Sequence, residues 1–319
     1  MPQQGRIVGI DVSKLKAEAC IRSLQLRLSQ PSTPAGEQEL IAWLSDNRVG
    51  LAVMEASGGY ERGWAQALRK AGIAVRIVDP KRVRYFAKSA GRLAKNDPID
   101  AEMIAWFAET FATEAPPAPD PDRDGLDRLV TERRMLVRLS AQIGQLGEHQ
   151  QPRVVETAQR AIIKAIGAQL AKLETAIGAQ IQANAVFAAR RAIIQSVPGF
   201  GAHFVAGAIA WLPELGRISN KAATALVGIA PYNDDSGAHH GERHIKGGRR
   251  EIRDLLYMAT LGAATRHNPV IKAYYQRLRA RGKRAKVALV ACMRKLIVIL
   301  NTMLARAQMW NPAGATAIA

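Results

Sequence analysis

The sequence has few acidic residues, and this shortage limits the possible functions of the protein more than any other feature of its composition. It has 27 Asp and Glu against 45 Lys and Arg, so its formal net charge is +18. A charge of this size acts on association rather than on fold, and it indicates a polyanionic partner. Nucleic acid is favoured over an anionic membrane surface. Between Arg243 and Lys295 the only acids are Glu251 and Asp254, so the C-terminal part is the one expected to meet phosphate.

Cysteine and long apolar runs are also scarce. Cys20 and Cys292 are far apart, which gives neither a disulfide framework nor a metal-binding spacing. We interpret both as small core residues in a reducing compartment. No basic region followed by an apolar run marks a signal peptide, and the apolar run 287–300 is interrupted by Arg294 and Lys295. These absences predict a cytoplasmic protein.

Residues 1–114 alternate between short apolar runs and amphipathic segments. Runs rich in β-branched residues predict strands, and apolar residues at helical spacing predict helices. Strands that alternate with helices indicate an α/β domain. The predicted strands are Arg6–Ser13, Ala17–Ser23, Val49–Met54 and Ile73–Val78, and the predicted helices are Gly36–Ser45, Tyr60–Ala71, Pro80–Ser89 and Asp97–Thr113.

Four acids in this domain form a candidate metal site. Asp11 lies near the end of one predicted strand and Glu55 directly follows another, where α/β sheets usually place ligands. Asp97 and Asp100, three residues apart at a helix start, lie near one helix face. Converging carboxylates are costly unless a cation neutralises them. Mg²⁺, a hard ion that prefers oxygen ligands, is the expected cation.

Each acid also has a purely structural interpretation. Asp97 before Pro98 is a good helix N-cap, and Asp100 in the first turn favours the helix dipole. Asp11 and Glu55 could be turn residues at strand ends. A single shared metal site explains all four positions at once, so we favour it.

Beyond this domain the sequence predicts a linker and then helices. Residues 115–122 are proline-rich and are typical of a linker. Residues 123–190 carry Leu, Ile, Val and Ala at near-heptad spacing, which predicts two long helices. They could form a coiled-coil dimerisation region or an ordinary helical bundle within one subunit.

The C-terminal region, residues 191–319, is predicted to be helical and contains a Pro-Gly-x-Gly turn. Gly199 and Gly201 in this turn resemble the helix-hairpin-helix motif, whose backbone N–H groups bind a DNA phosphate. The alternative is a plain connection between two helices.

Ser236 lies on a polar, glycine-flanked segment that a basic run follows. An exposed serine beside guanidinium groups is what a nucleophile that attacks a phosphodiester needs, although serine and glycine are also default turn residues. Protein surfaces ordinarily mix both charge signs, so the nearly all-positive C-terminal surface favours nucleic-acid contact. The candidate contact residues are Arg243, Lys246, Arg249, Arg250, Arg253, Arg279, Lys283 and Arg284.

Taken in order, these motifs resemble the DEDD insertion-sequence transposases. The N-terminal motifs are GIDVSK at 9–14, EASGGY at 55–60 and KNDPIDA at 95–101. The C-terminal motifs are VPGFG at 197–201, LVGIAP at 226–231, DSG at 235–237 and GGRREIR at 247–253. Each motif is short, but their order over nearly the whole chain is specific.

This resemblance implies a detailed mechanism. The N-terminal domain would have the RNase-H-like fold of RuvC-type resolvases, and Asp11, Glu55, Asp97 and Asp100 would hold Mg²⁺. Ser236 would be the nucleophile that forms a covalent phosphoserine link to DNA, of either polarity. A structured bridge RNA would pair with donor and target DNA. Dimers would pair into a tetramer whose active sites are shared between subunits.

Two points stay open at this level. The base that activates Ser236 could be one of His239, His240 and His244, a metal-bound hydroxide or one of the carboxylates. The function could also be that of a Holliday-junction nuclease that uses water, or of a non-catalytic nucleic-acid chaperone.

Overall fold

The computed structural model describes residues 5–92, 97–111, 120–147, 151–232, 235–236, 239–240 and 244–313. For residues 97, 98, 235, 236, 239 and 240 it describes the backbone only. The chain divides into two compact units, Met1–Ala118 and Pro119–Ala319. Each unit has a hydrophobic core of its own.

The first unit is built on a mixed sheet of five strands. In space the strands run in the order β3-β2-β1-β4-β5. β2 is antiparallel to both β1 and β3, whereas β1, β4 and β5 run parallel to one another. The strands are β1 (Arg6–Val12), β2 (Lys16–Ile21), β3 (Leu26–Pro31), β4 (Val49–Glu55) and β5 (Ala74–Val78).

Helices cover both faces of this sheet. Leu40 and Leu44 of α1 and Trp64 of α2 pack with strand residues on one face. Val83 of α3 and Phe107 of α4 pack with other strand residues on the second face. The helices are α1 (Pro34–Asp46), α2 (Glu61–Lys70), α3 (Pro80–Ser89) and α4 (Asp97–Thr110). The predicted α/β class is therefore confirmed for this unit.

The sequence patterns did not predict β3. This strand lies at the edge of the sheet, and none of its residues is buried. Leu28 packs partly buried against the core, and a strand with so little buried surface carries only a weak hydrophobic pattern. Its place is set by backbone pairing with β2 from Lys16 opposite Pro31 to Ile21 opposite Leu26.

The second unit is mainly helical, as predicted. Its core combines buried side chains from most of the helices, including Leu126, Ile194, Ile209, Leu256 and Leu300. The helices are α5 (Pro121–Leu146), α6 (Arg153–Ala183), α7 (Ala185–Gln195), α8 (Ala202–Trp211), α9 (Asn220–Val227), α10 (Arg250–Gly262), α11 (Pro269–Ala280) and α12 (Ala285–Ala305), with a π-helical turn at Ala263–His267.

The two long helices predicted over 123–190 are present as α5 and α6, and they pack against each other. Leu126 and Val130 of α5, with Ile177 and Ile181 of α6, belong to the main core of the unit. One end of the helix pair is therefore part of a bundle within the subunit. At that end, the helices form part of a helical bundle within one subunit, which is the second of the two interpretations of this region.

By length and composition alone, helix α12 could cross a membrane, even though it contains Arg294 and Lys295. Within the unit, however, 56% of its most apolar window is buried. Cys292, Leu296 and Leu300 belong to the main core. Helix α12 is therefore a core helix. Cys20 is buried as well, which confirms that both cysteines are core residues.

Candidate functional site

Asp11 and Glu55 lie at the carboxyl ends of two neighbouring parallel strands. Ile10 of β1 is the register partner of Met54 of β4, and the two acids are the next residues along their strands. Both acids are half-buried. The predicted meeting of these two positions at one edge of the sheet is therefore seen in the strand register.

The two acids also share one face of the sheet. Successive side chains on a strand point to opposite faces. Ile10 and Met54 pack in the core beneath α1 and α2. Val53 packs in the second core, beneath α3 and α4. Asp11 and Glu55 alternate with Ile10 and Met54, so they belong to the face that α3 and α4 cover.

Helix α4 brings Asp100 to the same place. The helix begins at Asp97, so Asp100 lies in its first turn, half-buried. A side-chain carbon on Gly9 of β1 would overlap backbone atoms of Ala101 and Ala105, so the start of α4 lies directly on β1. Asp100 is therefore close in space to Gly9, the residue that precedes Asp11 on its face of the strand. The side chain of Asp97 lies outside the described residues.

The acids are a suitable donor set for a hard divalent cation, because carboxylate oxygens are the ligands that such ions prefer. Among the side chains that the structure describes, no group of three or more His, Cys, Asp or Glu is close enough to hold a metal ion. The fold thus brings the backbone positions of Asp11, Glu55 and Asp100 to one edge of the sheet. This finding does not cover the fourth predicted ligand, Asp97, whose side chain lies outside the described residues.

Glu61, which the sequence motifs did not single out, shapes the loop after Glu55. Its Oε2 accepts hydrogen bonds from the Ser57 N–H at 2.9 Å, the Ser57 hydroxyl at 2.8 Å and the Gly59 N–H at 2.9 Å. Gly58 and Gly59 have φ of +75° and +112°, values that favour glycine. Burial of Glu61 acts to raise its pKa, but these hydrogen bonds outweigh it and lower the pKa. Ser57 and Glu61 are four residues apart, one more than in a capping box, so no standard motif in the sequence marks this contact.

Ser236 lies in a small hairpin of the second unit. The outer pair of strands joins β6 (Pro231–Tyr232) to β9 (His244–Ile245), and the inner pair joins β7 (Asp235–Ser236) to β8 (His239–His240). Ser236 is the register partner of His239. The backbone therefore places Ser236 in a short strand. Asp234, Gly237 and Arg243 lie outside the described residues.

Two of the predicted nucleic-acid contacts are engaged within the protein. Arg249 makes a bidentate ion pair with Glu214, at 2.8 and 2.6 Å, and also donates to the Trp211 carbonyl. Arg253 donates to the carbonyls of Gly228 and Gly247, at 3.2 and 2.6 Å. Both guanidinium groups hold the segment after the hairpin to the helical core. We therefore expect these two guanidinium groups to be less available to phosphate than the exposed cations, and their contact with nucleic acid stays a prediction.

The electrostatics of Glu214 follow from that ion pair. Burial of this carboxyl raises its pKa, but hydrogen bonding and charge attraction from Arg249 outweigh burial and lower it. Glu214 is therefore a charged partner of Arg249. The two residues are 35 positions apart, so no local pattern in the sequence connects them.

The other basic candidates within the described residues are exposed. They remain accessible to a phosphate backbone, although Arg279 also donates to the Lys283 carbonyl at 2.6 Å and Arg250 lies 4.0 Å from Asp254. These exposed candidates are Lys246, Arg250, Arg279, Lys283 and Arg284.

The Pro-Gly-x-Gly turn joins α7 to α8, as predicted. Gly199 has φ of +100°, and a side-chain carbon there would lie 2.7 Å from the Ala263 Cβ. Its glycine is therefore explained by backbone conformation and close packing. Gly201 is the N-cap of α8 and is exposed, and a side-chain carbon added there would meet no atom within 4 Å. Gly201 is the more exposed of the two glycines, and phosphate binding by this turn stays a prediction.

Comparison with known proteins follows the same division of the chain. Residues 8–146 match the family model of the DEDD transposase domain of IS110, described as a transposase. Residues 191–276 match a second family model, described as "Transposase IS116/IS110/IS902 family". The acidic edge of the sheet lies in the first match, and the Ser236 hairpin lies in the second.

The similar full-length proteins agree with the family models. A pilin gene-inverting protein of Moraxella bovis is 24% identical over 313 residues, which cover 92% of this chain and 93% of that protein. An uncharacterized 43.6 kDa protein of insertion element IS110 from Streptomyces coelicolor is 27% identical over 65% of this chain and 52% of its own length. An uncharacterized 42 kDa protein of IS900 from Mycobacterium paratuberculosis is 35% identical over 40% of this chain and 32% of its own length.

The mixed five-strand sheet with helices on both faces, in the region that the DEDD model matches, fits an RNase-H-like N-terminal domain. The chain belongs to the IS110 family of transposases. It is therefore a DNA transposase or recombinase, as the sequence motifs predicted. DEDD-type domains typically use divalent metal ions.

Proposed function

We propose that this transposase cuts and rejoins DNA with two sets of residues, the four acids and Ser236. The observation that carries the proposal is that Asp11 and Glu55 share one edge and one face of the sheet, against which the helix that carries Asp100 packs. Asp97 begins the helix that carries Asp100 and completes the set by its sequence position.

The acids would bind the metal ion of the reaction. Asp11, Glu55, Asp97 and Asp100 would hold a divalent cation, for which we propose Mg²⁺. When bound, the cation would stabilise the negative charge that develops on the phosphate in the transition state. The protein's own contribution is to hold carboxylates of three separate elements at the strand ends, with α4 fixed on β1 through Gly9.

Ser236 would act as the nucleophile. Its Oγ attacks phosphorus, a new Ser–O–P ester forms, and the bond from phosphorus to one sugar oxygen breaks. The serine proton leaves with a base and a proton goes to the departing sugar oxygen, so the number of phosphate ester bonds is unchanged. The covalent intermediate therefore conserves the bond energy for rejoining without ATP. Among the base candidates, His239 is the residue opposite Ser236 in the hairpin.

The remaining parts of the proposal concern partners. The exposed cations, with the Gly201 turn, would bind nucleic acid; they are Lys246, Arg250, Arg279, Lys283 and Arg284. Donor and target DNA would be recognised through a structured bridge RNA. The relative named for gene inversion supports strand exchange, because inversion requires cutting and rejoining at two sites.

We also propose a finer domain layout and assembly. A RuvC-like domain would span 1–114, with a linker at 115–122. A dimerisation region at 123–190 and a C-terminal transposase domain at 191–319 would follow. Homodimers would pair into a tetramer in the cytoplasm.

One experiment tests the catalytic part. The purified protein is incubated with Mg²⁺, the DNA that flanks its gene, target DNA and RNA transcribed from the flanking non-coding segment, and protein–DNA adducts are separated on a denaturing gel. We expect an adduct with the wild type and none with Ser236→Ala. We expect Asp11→Asn and Asp100→Asn to abolish it too, whereas Asp46→Asn, an exposed acid at the end of α1, should keep it.

The same assay separates the alternatives. Cleavage by Ser236→Ala at the wild-type rate would indicate a nuclease that uses water. Intact function in Asp11→Asn would indicate a non-catalytic nucleic-acid chaperone. Replacement of His239, His240 and His244 one at a time with alanine tests the base, and full activity in all three variants would exclude a histidine.

A further inference from the structure

Helix α3 carries an exposed basic and aromatic surface that the sequence motifs did not single out. Lys81, Tyr85 and Lys88 follow the spacing i, i+4, i+7, which places them on one side of the helix. All three are exposed, and Tyr85 is 67% exposed. We call these three residues the α3 stripe. Arg92, directly beyond the helix, is exposed as well.

The fold of the first unit does not need this stripe. Val83 and Ala87, on the other side of α3, are the residues buried in the core. Phe86 anchors the helix further by an edge-to-face contact with Trp106, with ring centroids 5.2 Å apart. The core contacts of α3 are therefore made by other residues, and the Tyr85 ring is left accessible to a ligand.

The charges of this region are largely left without acidic partners. From Arg76 to Arg92 there are six Lys or Arg and one acid, Asp79. Asp79 is used as the N-cap of α3, where it accepts from the Lys81 N–H at 2.9 Å. Within the parts of the chain that the structure describes, no carboxylate forms an ion pair with Lys81, Lys88 or Arg92.

The α3 stripe lies beside the acidic edge. Glu55 is the register partner of Val78, the last residue of β5, and α3 begins two residues later at Pro80. Val78 and Val83 pack with Val53, so α3 covers the same face of the sheet that Glu55 shares. The first turn of α3 therefore starts at the edge and on the face where the acids gather.

We propose that the α3 stripe binds the DNA strand that is cut at the acidic edge. Lys81 and Lys88 contact successive phosphates, and Tyr85 stacks on an unpaired base. Cations give the affinity for the backbone, and an exposed aromatic ring binds single strands because every base has a face on which it can stack. DNA is the occupant because the stripe adjoins the acids, whose proposed substrate is DNA. The inference rests on that proposed function, because it is the proposed cleavage that identifies the bound DNA strand as the one that is cut.

Binding is tested with the full-length protein carrying Ser236→Ala, so that no reaction is required. The probe is a fluorescent DNA duplex with a single-stranded gap, titrated at several salt concentrations. We expect Tyr85→Ala to weaken binding by roughly 5- to 100-fold, and Tyr85→Phe, which keeps the ring, to change it less than about twofold. Lys81→Gln/Lys88→Gln should lower the slope of log affinity against log salt by about 1.4, since each single-strand contact contributes about 0.7.

The matched control removes the same charge from the opposite face of the sheet. Arg69→Gln/Lys70→Gln lies on α2, whose buried residues pack in the other core. We expect this double variant to bind the gapped DNA with nearly the wild-type slope. A slope that falls equally in both double variants would overturn the proposal, because it would reflect total charge only.

A contact measurement complements the affinities. Gapped DNA that contains 5-iodouracil in the unpaired stretch is irradiated with the protein, and the cross-linked peptide is identified by mass spectrometry. We expect the peptide that contains Tyr85, and we expect it to vanish in Tyr85→Ala. Cross-links found solely elsewhere would overturn the proposal. So would a Tyr85→Ala variant that loses affinity for RNA of the same sequence and not for the DNA.

Failure of this inference is distinct from failure of the catalytic proposal. The binding and cross-linking assays use neither Mg²⁺ nor the serine hydroxyl. A stripe that binds DNA in a protein that forms no adduct would leave this inference intact. A protein that forms the adduct with Tyr85→Ala as well as with the wild type, and binds DNA equally, would refute this inference alone.

Discussion

Gly9 of β1 lies directly against the backbone of Ala105 of α4, with no space for a side chain between them. This contact fixes how closely α4 approaches the sheet. Asp11 follows Gly9 on the same face of β1, and Asp100 precedes Ala101, the other residue that Gly9 contacts. The glycine therefore sets the relative positions of two acids although it has no chemical group of its own.

Replacing Gly9 with alanine should separate the helix from the strand. The added methyl group must displace backbone atoms, and such overpacking costs about 1–3 kcal/mol. We expect a lower unfolding midpoint in urea, together with loss of the protein–DNA adduct. Gly63→Ala is the control, because a side-chain carbon there meets only Glu37 Oε1 at 3.6 Å. That exposed helical change should stabilise the protein slightly. A stable Gly9→Ala protein with full activity would contradict this assignment.

The loop after Glu55 should depend on the charge of Glu61. We expect Glu61→Gln to lower the free energy of unfolding by about 1–3 kcal/mol at pH 7, since hydrogen bonds to a charged acceptor are lost. Glu39→Gln, on the exposed side of α1, serves as the control and should change little.

The pH dependence of this effect has a definite sign. The folded state lowers the pKa of Glu61, so the stabilisation is fully present above the ordinary pKa of about 4.3 and is lost as pH falls through the lower folded value. The difference between wild type and Glu61→Gln should therefore be constant from pH 7 to about 5 and shrink in more acidic solution. Urea unfolding at several pH values measures it, and a difference that grows in strongly acidic solution would refute the role given to Glu61.

The sequence predicted the acidic edge because its signals are local. A buried strand that ends in an acid is recognisable within a few residues, as at Asp11 and Glu55. The face that Asp100 shares with them could be assigned only once α4 was seen to pack on Gly9, a contact between distant parts of the chain. The start of α3, with proline at the first helical position, was equally predictable.

What the sequence could not predict depends on long-range pairing. β3 has no fully buried side chain and packs only Leu28 partly against the core, so its strand character depends mainly on pairing with β2. Arg249 has the composition of a phosphate contact, and only the position of Glu214 shows that its guanidinium is already used. Charge patterns identify which segments are basic, but not which cations remain available.

Arg249 should therefore affect stability more than nucleic-acid binding. We expect Arg249→Gln to lower the unfolding midpoint of the second unit, since it removes a bidentate pair and a bond to the Trp211 carbonyl. A double-mutant cycle with Glu214→Gln should give a coupling energy of about 1 kcal/mol, because both side chains are partly exposed. Lys246→Gln, at an exposed position, should show the opposite pattern of weaker DNA binding and unchanged stability. If Arg249→Gln and Lys246→Gln lost equal DNA affinity, the structural role of Arg249 would be contradicted.

The outer side of α5 should be where two copies of the chain meet. Met135, Leu139 and Leu146 are 61%, 45% and 63% exposed, and their spacing of i, i+4, i+11 places them on one side of the helix. Leu126 and Val130, the buried residues of α5, lie on the opposite side. An apolar stripe of this kind is typical of a helix that packs against a partner.

Replacing Met135 and Leu139 with glutamine should therefore weaken self-association. We expect the molecular mass from light scattering to fall from that of a dimer or tetramer toward the 34.6 kDa of one chain, at unchanged helix content by circular dichroism. Lys164→Gln/Lys172→Gln, two exposed positions on α6, is the matched control and should leave the mass unchanged. If the wild type is a monomer at all concentrations, or if the glutamine variant keeps the wild-type mass, α5 is not the interface. If the active site is shared between subunits, loss of the dimer should also remove the protein–DNA adduct. If α5 is not the interface, a shared active site would have to form at another surface.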